Sequence, residues 1–293
     1  MAYLYYSLTL VAIYIGLTLL LHLQFGRLGI VNFGVVGFWG LGMYAHGIMV
    51  ALWGVPWVLA VVIAALLVGA FALALGALIL RLDGQAVLVG TLAFATIVLH
   101  LVTTEKWLTN GVVGLGTIEY PFDWGSSTEP VFLGLVVAAI AVLYAYAVRL
   151  DGSFYGRLLA AIRDNEPLAH GLGKPTFRHK LVFFSVTCAG MGFLGALSAS
   201  LFQFLTSNMI APGVTFTAWI ALALGGKGRP LGAILGVVAT VGLFDVFIET
   251  FAPIPPDYAL LVPNIKLMMY GAFLVAIMMY RPLGLLGNSQ EHR

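Results

Sequence analysis

The sequence predicts an all-α polytopic membrane protein with about eight transmembrane helices plus a short re-entrant or half-length helix. Three observations carry that prediction. The 293 residues are 61% hydrophobic and only 9% charged, against about 25% charged in an ordinary soluble domain. Asp, Glu, Lys and Arg are absent from 1–26, 28–80, 84–104, 130–148 and 181–226, and a bilayer core of roughly 30 Å needs about 20 apolar residues per helix. Those runs also lack the strict apolar–polar alternation of a transmembrane β-barrel strand.

The elements follow in order as one domain, 1–293. The first span is 4–24. The opening "MAYLYYSLTLVAIYIGLTLLLHL" lacks the positive n-region of a signal peptide and reads as a retained span. The run 28–80 holds two spans, 30–52 and 56–80. Further spans are expected at 86–104, 131–148, 180–204, 230–250 and 261–280. The piece 213–224 is too short to cross as a full helix. It reads as re-entrant or half-length, which is tolerated only where protein surrounds it.

Charge sets the orientation. Arg27, Arg81, the run 149–180, Lys227 with Arg229, and Arg281 fall at alternate ends of the spans. The loop 105–129 carries Glu105, Glu119, Asp123 and Glu129 against one Lys106. That loop is expected outside and the basic ones inside, with an external N-terminus and a cytoplasmic C-terminus. For the count to close, 213–224 must bring "GGKGRP" to the inner side. "RLDG" occurs at 81–84 and 149–152, each at the inner end of a span, as two independent helix stops or as the trace of a duplicated unit.

Several chemistries find little support. The one cysteine, Cys188, lies in an apolar run and reads as packing. No Cys or His spacing suits a metal, and no nucleophile–base pair is evident. A phosphate-binding loop needs G-x-x-x-x-G-K-[ST]. Around "LALGGKGRP", Ala221 and Gly228 stand at the positions of the first Gly and the Ser/Thr. No catalytic residue, metal or cofactor is therefore expected in this chain, and nucleic acid is not an expected partner. Asp245 and Glu249, four apart, with Lys266 on the next span, suit an outer-end ion pair or, less simply, a cation-coupling site.

Two stretches read as candidate walls of a solute path. In "LGIVNFGVVGFWGLGMYAHG" the small residues permit close helix approach or a broken helix at mid-depth. Asn32, Gly34 and Gly37 are its candidates. Asn32 either bonds a neighbouring helix or lines the path. The second stretch, 206–219, contributes Thr215 and Thr217. Thr91 and Thr96 on the fourth span either bond their own backbone or face the path, and His100 lies near its outer end.

The segment 149–180, "RLDGSFYGRLLAAIRDNEPLAHGLGKPTFRHK", holds six of the fourteen Lys and Arg residues. Asn165, Glu166 and Pro167 read as a helix start: an N-cap, an acid in the first turn and an early proline. Gly171 or Gly173 ends that helix, and Lys174-Pro175 stops it. Two short helices at an angle are expected. A mere connector needs only a few residues, so this one reads as a docking surface. Leu158, Ile162 and Leu168 would supply apolar contact, and Arg157, Arg163, Asp164, Asn165 and Glu166 would fix register.

The stretches "GRLLAAIRDNEPLAHGLGKPTFRHKLVFFSVTCAGMGFLGAL", "TLAFATIVLHLV", "LGIVNFGVVGFWGLGMY", "LALGGKGRPLGAILG" and "MMYRPLGLLG" resemble the permease subunits of the branched-chain amino acid ABC importers, over nearly the whole chain. The resemblance implies that 149–180 is a cytoplasmic coupling element seated on an ATPase subunit, and that 105–129 is periplasmic. It implies import of branched-chain or other hydrophobic amino acids, or of related solutes such as urea or amides. It also implies a bacterial or archaeal inner membrane, a second permease subunit as a heterodimer partner, two ATPase subunits that use the ATP, a periplasmic binding protein, and membrane lipid around the chain. A stand-alone channel or facilitator for a small neutral solute is the competing reading.

Overall fold

A computed structural model describes residues 2–246, apart from 117, 119, 123, 124 and 227, and four positions beyond them, Met268, Ala272, Val275 and Met279. The rest of the expected span 261–280, Arg281, and the side chains of Asp245, Glu249 and Lys266 lie outside the described residues.

Helix α1 runs Ala2–His22 and continues as a wide π-type turn, Leu23–Arg27. Residues 28–34 are not helical, and α2 begins only at Val35 and ends at Ala51. Then come α3 (Trp57–Ile79), α4 (Gly84–Thr104), the single turn α5 (Lys106–Thr109) and α6 (Thr128–Gly152). Two short helices, α7 (Phe154–Asp164) and α8 (Glu166–Gly171), precede α9 (Thr176–Phe202). After these, α10 (Gly213–Gly225) and α11 (Pro230–Val237) follow, the last running into a π-type stretch, Val238–Val246. Among the described residues six helices are long and apolar enough to cross a bilayer, and Val35–Ala51 and Pro230–Gly242 are shorter apolar ones.

The half-length element is α10, 13 residues. A 3₁₀ turn, Ser207–Ile210, precedes α10, and together they form a 19-residue apolar stretch, Ser207–Gly225. Pro212 stands at the N-cap of α10. It lacks a donor N–H, so helical geometry restarts there instead of running through.

Contacts sort the connections into two ends. At one end Arg27 pairs with Asp151 at 2.6 Å, and Arg27 Nη2 donates to the Gly228 carbonyl at 3.4 Å. Arg81 lies there too, 5.1 Å above the Phe177 ring. At the other end Leu115 and Leu205 exchange backbone hydrogen bonds at 2.9 and 2.8 Å, and Trp57 Nε1 donates to Ser200 Oγ at 2.7 Å. The stretch 207–225 therefore joins the two ends, as the charge count required. The two "RLDG" copies take different partners: Arg81 stacks on a ring, whereas Asp151 takes a guanidinium.

Helix α9 is the central post, with α2 and α3 against it. A Cβ on Gly42 would stand 2.2 Å from the Gly192 carbonyl oxygen, and one on Gly195 would stand 2.0 Å from that of Trp39. Without an aqueous hydrophobic effect between helices, such close backbone approach supplies the packing attraction. Trp39 Nε1 donates to Ser198 Oγ across the same seam at 2.9 Å. Cys188 is wholly buried beside it, as a packing residue. Leu66 and Leu78 on α3 and Val142 on α6 point outward, as a lipid-facing surface requires.

Candidate functional site

The site starts from the break between α1 and α2. Non-helical backbone at membrane depth must find partners inside the protein, because each unpaired group costs several kcal/mol there. The stretch 28–34 finds them one by one. The Gly29 and Ile30 N–H groups return to the Phe25 and Gln24 carbonyls at 3.0 and 3.1 Å. The Phe33 N–H donates to Thr91 Oγ1 at 3.0 Å, that of Gly34 to Asn32 Oδ1 at 2.7 Å, and that of Val36 to Thr215 Oγ1 at 3.0 Å. Trp219 Nε1 donates to the Asn32 carbonyl at 3.0 Å. Asn32 Nδ2 donates to Gln24 Oε1 at 2.9 Å, and Gln24 Nε2 to Thr187 Oγ1 at 2.7 Å.

This accounting separates the candidates for the path. Asn32 is fully buried, with its amide spent on the protein, so it takes the helix-bonding alternative. Cβ atoms on Gly34 and Gly37 would each stand 2.8 Å from α4 backbone, at Thr91 O and Ala95 Cα. Thr91 is buried, and its hydroxyl donates to the Leu88 carbonyl while receiving the Phe33 N–H. These four hold the broken segment against α4 and do not form an open wall. Thr217 is half-buried on α10.

Thr215 also holds the break, through the Val36 N–H, whereas Thr96 lies elsewhere. An open groove of about 690 Å³ runs along the outward face of α4, past Leu92, Thr96, His100 and Thr104. It meets, at Leu92 and Thr96, a small void of about 10 Å³ bounded also by Phe33, Thr215 and Phe216. That volume is about one water. Thr96, His100 and Thr104 recur every four residues and share one helix face. Their hydroxyl protons are spent locally, Thr96 on Leu92 O at 3.1 Å and Thr104 on His100 O at 2.7 Å, which leaves oxygen lone pairs and an exposed imidazole outward. Polar side chains in membrane helices face a cavity or another chain in preference to lipid.

Phe33 and Phe216, which border the small void, meet a third ring, Trp219. Phe33 stacks on Trp219 with centroids 5.2 Å apart and meets Phe216 edge-on at 6.0 Å. Gln24, Phe33, Phe216 and Trp219 were not singled out from sequence. Gln24 had a signal, as a lone amide in a charge-free run eight residues before Asn32. The rings had none, because aromatics are common in every span.

The segment 149–180 forms the two short helices expected. Ser153 Oγ accepts the Gly156 N–H at 2.9 Å and caps α7, and Asn165 Oδ1 accepts the Leu168 N–H at 3.0 Å and caps α8. Tyr155 titrates above the ordinary tyrosine range, chiefly through burial and secondly through Tyr146, so it stays neutral. Arg157, Asp164, Asn165 and Leu168 are exposed, and Leu158 is half-buried. Ile162 is a correction. It is 3% exposed, packed on the chain's own core, so its side chain is not offered to a partner. Two further residues face inward in part: Glu166 pairs with Lys180 at 2.9 Å, and Arg163 donates to the Gly26 carbonyl as well as to Asp164. The apolar surface is instead Phe154, Leu168 and Leu172, at 69%, 61% and 73% exposure. The i, i+4 pair Leu168 and Leu172 was legible as a helix face. Phe154 was not, since α7 shows no heptad long enough to phase it.

The family described as "Branched-chain amino acid transport system / permease component" matches residues 3–278. The chain is 27% identical to the "High-affinity branched-chain amino acid transport system permease protein LivM" of Escherichia coli (strain K12), over 95% of this chain and 68% of that protein. The protein of the same name from Salmonella typhimurium matches to the same extent. The "Probable branched-chain amino acid transport permease protein LivM" of Methanocaldococcus jannaschii is 27% identical over 67% of this chain and 58% of its own length. No solved structure matches.

Proposed function

Because this chain belongs to the family of branched-chain amino acid transport system permease components, we propose that it is the membrane subunit of an ATP-driven importer for branched-chain or other hydrophobic amino acids. A second permease subunit completes the path, and one of the two ATPase subunits docks on α7 and α8. A periplasmic binding protein delivers cargo at the Leu115–Leu205 end. The observation that carries the reading is the polar stripe Thr96–His100–Thr104 along an open groove whose other lining is apolar up to Glu105 at its end. It lacks a full charge at mid-depth, which suits a zwitterion or neutral amphiphile better than a single ion. The exposed Phe154, Leu168 and Leu172 beside Arg157 suit a soluble partner, with an apolar centre and a charged rim. The Arg27 end carries the basic residues of the described loops except Lys106, so it is the cytoplasmic end, with the N-terminus outside.

The test is uptake of labelled leucine, with urea and a short amide for comparison, into proteoliposomes holding the chain with its partner subunits. Uptake is expected only with ATP inside, and Thr96→Trp is expected to abolish it while the complex still assembles. Uptake without ATP or partners would instead support a stand-alone facilitator.

A further inference from the structure

Resting on the reading of 149–180 as a docking loop, a further role falls to one of its residues, turned toward the membrane instead of toward the partner. Arg163 Nη1 donates to the carbonyl of Gly26, in the wide turn that ends α1. Its aliphatic stem covers Gly29 so closely that a Cβ there would stand 2.9 Å from Arg163 Cγ. Gly29 holds φ +73°, a left-handed conformation that glycine adopts without strain. It is the corner at which the chain leaves the helix for the stretch 28–34. Arg27 is tied to Asp151 next to this corner. The corner is thus gripped from the α6–α7 side, and the broken stretch leads from it directly to Phe33.

We propose that Arg163 is a positioning residue that ties α7 to the corner Gly26–Gly29, so that displacement of α7 and α8 moves 28–34 and opens or closes the Phe33–Phe216–Trp219 cluster beside the void that the groove meets. Three features make the link directional. The Arg163 side chain holds the corner by a guanidinium hydrogen bond and by packing of its stem at once, so a shift of α7 has no slack to absorb it. The stretch 28–34 lacks helical hydrogen bonds of its own beyond Ile30, and its far end is held by side chains, Asn32, Thr91, Thr215 and Trp219, in place of a helical ladder, so it can shift without breaking a helix. A cavity of about 190 Å³ between Leu28, Val31, Gly84, Arg163, Glu166 and Lys180 leaves space for that motion. Packed rings then switch between discrete arrangements instead of deforming smoothly.

The experiment uses the complete importer in proteoliposomes, with Arg163→Ala and Arg163→Lys, each also carrying Val31→Cys as a reporter on the moving stretch. The native Cys188 is buried and silent. Arg163→Ala is expected to keep the ATPase subunits bound and hydrolysing, while uptake per ATP hydrolysed falls about fivefold or more, the lower end of typical coupling between sites. The ATP-dependent change in maleimide labelling of Val31→Cys is expected to vanish with it, and Arg163→Lys, keeping charge but losing the fork, to fall between. Wild-type uptake per ATP in Arg163→Ala, or a persisting ATP-dependent labelling change, overturns the proposal. Release of the ATPase subunits by Arg163→Ala overturns it too, since Arg163 would then be a docking residue. Should Arg163→Ala fail to insert, the same ratio and labelling in Arg163→Lys decide. Absence of uptake by the wild-type complex would count against the permease reading itself, and a defect confined to the variants concerns Arg163 alone.

Discussion

Asn32 illustrates how a single amide is committed by its neighbours. Its oxygen caps the Gly34 N–H and its nitrogen reaches Gln24. Replacing it with leucine orphans both groups in a dry interior, at about 1–3 kcal/mol each. Asn32→Leu is therefore expected to lower the melting temperature in detergent as well as uptake. Normal stability with lost uptake would return Asn32 to the path wall. The glycines give a paired test. At Gly42 and Gly195 even a methyl group meets backbone within 2.2 Å, and overpacking costs about 1–3 kcal/mol or more. Gly42→Ala and Gly195→Ala should sharply reduce the folded yield. Gly134, exposed in α6 with nothing within 4 Å of a Cβ, should accept alanine with a gain of roughly 0.5–1 kcal/mol.

At the scale of elements, α7 and α8 have two faces with opposite expected responses. The buried face, Leu159 and Ile162, holds the pair on the membrane domain. Ile162→Ala should cost about 2–5 kcal/mol of stability, seen as early unfolding, with ATPase binding lost only as folding is lost. On the exposed face, Leu168→Asp with Leu172→Asp should leave melting unchanged and weaken ATPase co-purification. Truncating a central apolar contact costs more than about 1 kcal/mol at an interface. An unchanged co-purification yield would move the docking surface off α8. The N-cap signal at Asn165 announced α8 and the patterned length of the segment announced a helix before it, but neither could say which face met the membrane domain, and Ile162 lies on the inner one. Helix α2 carries a related lesson. Its 17 residues reach only about 26 Å at 1.5 Å each, so the broken stretch 28–34 must complete the crossing. Hydropathy could not distinguish that stretch from helix.

Across the whole molecule, the sorting of loops to two ends predicts labelling from opposite sides. Cysteines at Trp107, which is 78% exposed, and at Lys174, exposed after α8, should react with an impermeant maleimide from opposite faces, with 107 accessible in intact cells. Reaction of both from one side would reject the arrangement. Lys174 is the better probe than its neighbour Thr176, which is buried at the start of α9.

The amino-acid sequence alone determined that this is a helical membrane protein with its basic loops on one side and a two-helix element between α6 and α9. Those properties are additive along the chain: the length of apolar runs, the placement of charge, and caps that act over three or four residues. It also carried the family resemblance, because motifs survive as strings. Only the tertiary structure decided that Asn32, Gly34, Gly37, Thr91 and Thr215 hold a broken segment while Thr96 faces the groove. It alone turned Ile162 inward and Arg163 toward Gly26. Such assignments depend on which helices meet and at what rotation, and in this chain they are set by glycine contacts and single hydrogen bonds between residues up to about 190 positions apart, which no local pattern records.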